Sequence, residues 1–229
     1  MLKQFYRIKL HSFFTWGPVC ILFFTSYIVA KDGFRGMEIY RILTFSTYVL
    51  LLFFPLLGMY SLSSLQFFQK ELVILRFGSF RESWKKCAIV LLLDSIIFVT
   101  AFHISALICY TLKWEFFFYF DNKVFFLQSF LLQCLTVYTF ELFLMTVSTA
   151  MRNSLFGFLA GYLTLWSEKI VQGIHPTWNT VFFLAGMDWD PSMGLATFYI
   201  MSGIAVGLLV LVPSCFSSRD YLKNREGKL

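Results

Sequence analysis

The sequence predicts an all-α, polytopic membrane protein with six transmembrane helices and an N-terminal interfacial helix. Three observations carry that expectation. Hydrophobic residues make up 58% of the 229 positions and charged residues 14%, against about a quarter charged in a soluble domain. The apolar residues gather in long runs divided by short polar stretches, so the whole chain, 1–229, reads as one transmembrane domain. Lys and Arg also fall unevenly on alternate connections. With six spans and the N-terminus inside, thirteen lie on the inner side and six (Lys31, Arg35, Arg41, Lys113, Lys123, Lys169) on the outer. That bias places both termini in the cytoplasm and the protein in the cell membrane.

Residues 1–12, MLKQFYRIKLHS, set Leu2, Phe5, Tyr6, Lys9 and Phe13 near one helical face and Lys3 and Arg7 on another. This pattern predicts a helix lying at the membrane surface. No small-residue cleavage site follows a short apolar core, so Met1 onward is expected to stay in the mature protein. The first span is expected over Phe13–Ala30, with Gly17 and Pro18 tolerated near its start. The second is expected over Ile42–Leu65, kinked at Pro55 and Gly58.

Residues 66–87, QFFQKELVILRFGSFRESWKKC, carry seven charged side chains, five of them basic: Lys70, Arg76, Arg81, Lys85 and Lys86. The stretch is predicted to be a cytoplasmic loop with a short helix over 67–77, a break at Gly78 and Ser79, and a second short polar helix beyond. It reads either as a solvated topogenic loop or as a docking element for a protein outside the membrane.

The third and fourth spans are expected over Cys87–Leu112 and Val124–Met151, joined by an aromatic, mixed-charge turn, LKWEFFFYFDNK. Leu155–Trp166 offers 12 uncharged residues before Glu168 and Lys169. That is roughly 18 Å of helix against a bilayer core of about 30 Å, so the fifth span must include this pair or break there. Residues 173–191 read as an irregular or re-entrant outer segment. The last span, Met193–Phe216, is uncharged and precedes a polar tail.

Within the spans, Asp94, His103, Gln128, Gln133 and Glu141 interrupt the apolar pattern. Ionisable groups at that depth are costly and face a bundle interior or a wet cavity. Asp94, His103 and Glu141 are therefore candidates for lining a substrate path. The competing reading of the acids is an interhelical hydrogen bond between a protonated acid and Ser, Thr or Gln. Gly157/Gly161 and Gly203/Gly207 are small-xxx-small pairs for close helix packing within the chain. The five cysteines stand singly and read as small core residues. Catalytic motifs, histidine–carboxylate metal spacing and a phosphate-binding GxxxxGK[ST] loop are absent from the sequence. No catalytic residue, metal ligand or nucleic-acid role is assigned, because the basic residues flank apolar runs.

The stretch Leu72–Cys87, LVILRFGSFRESWKKC, resembles one found in small permeases of bacterial peptide and bacteriocin export or immunity systems. Arg76, Phe77, Gly78, Ser79, Arg81, Trp84 and Lys86 carry the local likeness. The interfacial helix, six spans, basic inner loop and irregular outer segment together resemble the membrane subunit of an ABC-2 type (type V) ABC transporter over nearly the whole chain. The resemblance implies that the loop is a coupling helix, with Glu71 joining the seven residues just named as ATPase-coupling positions. It implies a separate ABC ATPase subunit that holds ATP and Mg, a second permease copy or paralogue, contact with membrane lipid, and no cofactor or enzymatic activity in this chain. The expected function is ATP-driven export of an antimicrobial peptide or another amphiphile. The alternatives are a substrate-capturing subunit of a vitamin uptake transporter and an intramembrane enzyme.

Overall fold

Long apolar runs satisfy their backbone groups internally only by becoming helical, and the computed structural model follows that rule. It describes Phe5, Lys9, Phe77 and residues 13–44, 48–69, 79–174 and 191–217. Among the described residues there are eight α-helices, one π-helical turn and no strand.

Helix α1 spans Phe13–Lys31 and runs through Pro18. A short helix, α2 (Met37–Leu43), follows. The second span was expected to begin at Ile42, but that residue ends α2. Thr44 closes the helix with its N–H and its hydroxyl, both on the Tyr40 carbonyl at 2.9 and 2.8 Å. The long run begins later, with a π-helical turn over Val49–Phe53 that leads into α3 (Phe54–Gln69). The Phe54 N–H reaches back to the Val49 carbonyl. This wide turn lies immediately before Pro55, which has no N–H to continue an ordinary ladder.

Helix α4, Phe80–Leu112, has 33 residues and starts seven earlier than expected. The second polar helix expected beyond Ser79 is not separate but forms the first turns of α4. Ser79 and Glu82 form the sequence of a capping box, and the Ser79 hydroxyl oxygen accepts the Glu82 N–H at 3.2 Å. With no Gly or Pro between Arg81 and Cys87, the polar turns simply continue into the apolar ones. After α4 come the short α5 (Phe116–Asp121) and the long α6 (Lys123–Met151). Arg152, at φ 54°, turns the chain into α7 (Ser154–Ile174). Helix α7 passes Glu168 and Lys169 without breaking. The last helix, α8, spans Pro191–Ser217.

Among the described residues, four stretches are long and apolar enough to cross a membrane: Val49–Gln69, Phe80–Leu112, Lys123–Met151 and Phe198–Cys215. The apolar parts of α1 (Thr15–Lys31) and α7 (Ser154–Ser167) are shorter. Residues 175–190, most of the expected irregular outer segment, lie outside the described residues, as do His11, His175 and the C-terminal tail from 218.

Helix α6 packs against α4, α7 and α8, while α1 packs against α3 and α4. Aromatic rings fill the core between them. Phe53 meets Phe98 and Phe102 edge-on, with centroids 5.2 and 5.3 Å away, and Phe54 meets Phe140 at 4.7 Å. Gly157 and Gly161 let α7 close on α6, where an added Cβ would overlap Ser148 and Leu144. Gly203 and Gly207 differ from the expected in-chain pairing: nothing described lies within 4 Å of a Cβ built there. Cys87, Cys109 and Cys134 are buried, whereas Cys20 and Cys215 face outward.

The C-terminal ends of α1 and α4 are joined. Lys113 donates to the carbonyls of Asp32 and Phe34, the latter at 2.7 Å. The Glu115 carboxylate accepts the Gly36 N–H at 2.6 Å, and the Tyr110 hydroxyl donates to the Gly36 carbonyl at 3.0 Å. Gly36 holds φ 54° against the Phe118 ring, a backbone region that favours glycine.

Candidate functional site

Asp94 lies 14 residues into α4, about 21 Å from its first residue, and Glu141 lies ten residues before the end of α6, about 15 Å. Both are fully buried. Each takes one partner from α3, whose Ser61 and Ser64 are one turn apart and share a face. Ser61 donates to Glu141 Oε1, and Ser95 lies 2.7 Å from Glu141 Oε2. Ser64 donates to Asp94 Oδ2 at 2.6 Å. The three helices α3, α4 and α6 are therefore pinned together through two carboxylates and three hydroxyls.

Lys9 completes this cluster. Its ammonium group lies 2.6 Å from Asp94 Oδ2, 2.9 Å from Ser64 Oγ and 4.2 Å from the centroid of the Tyr60 ring. The side chain is buried, whereas the sequence reading counted it among the inner-surface charges of an interfacial helix. The cause is the company it keeps: Lys9 shares its face with Phe5, whose ring stacks on Phe67 at 4.4 Å. Only Phe5 and Lys9 of the expected interfacial helix are among the described residues.

His103 does not join this cluster. It lies nine residues, about 14 Å, further along α4. Its Nε2 is 3.0 Å from Gln133 Oε1, and its Nδ1 is 3.5 Å from the Tyr119 hydroxyl. The amide carbonyl takes the Nε2 hydrogen, which leaves Nδ1 as the acceptor. Gln133 donates in turn to the Tyr40 hydroxyl at 2.7 Å, and Tyr40 is 2.5 Å from Ser129. Burial raises the Tyr40 and Tyr119 phenols above their ordinary range, so both remain hydroxyl donors. Gln128 faces outward.

Of the eight coupling positions, Glu71, Arg76 and Gly78 lie outside the described residues. Phe77 is half-buried, with its ring parallel to Phe68 at 6.4 Å. Ser79 caps α4. Arg81 and Lys86 are exposed, and so is Lys85, which pairs with Glu82 at 2.7 Å. Trp84 turns the other way: it is buried and stacks with Phe80 at 6.2 Å.

Sequence reasoning identified the two acids but missed Lys9, Ser61, Ser64 and Ser95. The signal for the serines was their spacing along an apolar helix. That for Lys9 was its place on the aromatic face of the first segment. Chemically, the cluster offers a fixed ammonium, two carboxylates and three hydroxyls shut away from water. This set suits the binding of a proton or a cationic group better than nucleophilic chemistry.

Among the described residues the chain is all-helical, with four stretches long and apolar enough to cross a membrane and a buried ionic centre. Comparison of the chain with protein families, curated sequences and solved structures gives no match.

Proposed function

We propose that the chain is the membrane-spanning permease subunit of an ATP-driven exporter of the ABC-2 type, moving a peptide or amphiphile out of the cell. The observation that carries this reading is the start of α4. The helix extends about 10 Å before its apolar part begins at Cys87. Arg81, Lys85 and Lys86 point outward there while Trp84 anchors the opposite side. A rigid cationic helix end between two spans is suited to transmit a push from a soluble partner.

In this reading there are six spans, with α1 and α7 as the short ones, and Lys9 reaches into the bundle from the inner side. Both termini are cytoplasmic in the cell membrane. The meeting of the α1 and α4 C-terminal ends supports that topology, because first and third spans must run in the same direction. ATP and Mg are held by a separate ABC ATPase, two copies of which act on two permease chains, and this chain is not itself an enzyme. In this reading Asp94, Glu141 and His103 supply the polar groups of the substrate path.

Purification of the chain from its native membrane tests the reading. An ATPase of matching stoichiometry should come with it, and the exposed pair Arg81→Glu/Lys86→Glu should lose that ATPase while the permease stays inserted. Purification without an ATPase, or full retention of it by the charge-reversed variant, would overturn the assignment.

A further inference from the structure

Hydrogen counting in the buried cluster reveals a conflict. Lys9 spends its three hydrogens on Asp94, Ser64 and the Tyr60 face, as an ammonium group should. Ser64 and Ser61 each spend their single hydrogen on a carboxylate. Ser95 also has one hydrogen, yet two acceptors lie within reach: the Leu91 carbonyl at 2.8 Å and Glu141 Oε2 at 2.7 Å. If Ser95 donates to Leu91, two bare oxygens face each other at 2.7 Å unless Glu141 carries a hydrogen of its own.

Charge counting points the same way. One ammonium and two carboxylates leave an excess negative charge in a site with no exposure, which is costly in an apolar bundle. One added hydrogen ion makes the cluster neutral. Placed on Glu141 Oε2, it also resolves the Ser95 conflict: Glu141 donates to Ser95, and Ser95 to Leu91. Asp94 Oδ1 is also buried and has no hydrogen-bond partner among the described residues.

We propose that Asp94 and Glu141 together form a binding site for one hydrogen ion, seated on Glu141, with Lys9 as the built-in counter-cation. The other titratable groups beside the pair are Cys87 on α4, Tyr138 on α6 and the Tyr60 ring on α3, and the charged groups acting on Glu141 are Asp94 and Lys9. The site requires the apolar bundle but no transported substrate, so it stands or falls separately from the exporter reading.

Infrared spectroscopy of the full chain in lipid nanodiscs at neutral pH tests it. A protonated-carboxyl stretching band is expected. Carbon-13 labelling of glutamate should move it, and labelling of aspartate should leave it in place. Charge balance sets the variants: Asp94→Asn should lose the band although Glu141 remains, and Lys9→Met should gain a second protonated carboxyl, with the band growing about twofold. Absence of the band, a response to aspartate labelling instead, its loss on adding sodium ions, or its persistence in Asp94→Asn would each overturn the proposal. Should a variant fail to fold, the labelled native chain decides alone.

Discussion

The Lys9 ammonium lies 2.6 Å from Asp94 Oδ2, and both side chains are buried, so the N-terminal segment is tied to the middle of α4 by an ion pair. Without Lys9, Asp94 must either take up a hydrogen ion or stay buried as an unpaired charge, and both are costly. Lys9→Met is expected to lower stability by about 3–5 kcal/mol, and the double variant Lys9→Met/Asp94→Leu to recover most of that loss. Thermal unfolding of the three purified proteins in one detergent checks the expectation.

Glu141 separates hydrogen bonding from charge. In Glu141→Gln the amide oxygen can still accept from Ser61 while the amide nitrogen donates to Ser95, so the melting temperature should hardly move. Glu141→Leu leaves Ser61 without its partner and should cost about 1–3 kcal/mol. If Glu141 also lines a path for a cationic substrate, the Gln variant loses export while remaining stable, which vesicle transport would report.

The two glycine pairs should respond in opposite ways. Gly157→Ala would drive a Cβ into Ser148 Oγ and to within 2.7 Å of the Leu144 carbonyl. Unfolding measurements should find a loss of about 1–3 kcal/mol. Gly203→Ala meets nothing within 4 Å and should raise stability by up to about 1 kcal/mol through helix propensity.

Tyr40 predicts an alkaline limit. Burial holds its phenol above the ordinary value of 10.0. The unfolded chain then releases this proton at lower pH than the folded one, so stability is constant below about pH 10 and falls above it. Tyr40→Phe should flatten that part of the stability–pH curve, at the cost of the hydrogen bonds to Ser129 and Gln133.

The helices were legible because an apolar run tens of residues long has few alternatives to helix in a membrane, and α6 begins and ends within a residue of its expected limits. The start of α4 was misplaced because Arg81, Lys85 and Lys86 read as a separate short polar helix within the loop, although Ser79 and Glu82 already spelled out the cap of a single long one. The second span began late because Thr44 closes α2 through contacts that carry no strong periodic signal. Asp94 and Glu141 stood out as charges in apolar surroundings. Their partners did not, because serines are common in membrane helices and a lysine near a terminus is ordinarily assigned to the surface. The link from Tyr40 to Gln133 spans 93 positions, and no local pattern announces it.

The bonds of Lys113, Glu115 and Tyr110 to the 32–36 backbone act as a fastener at one end of the α1–α4 pair. A pair of rods fastened at one end has one easy motion, in which the far ends swing apart like the arms of tongs. In this protein the far arms carry Lys9 and the exposed arginine and lysines of α4. In the exporter reading, a push on that cationic end would bear on the Lys9–Asp94 pair, at the end of the α1–α4 pair opposite the bonds near Gly36.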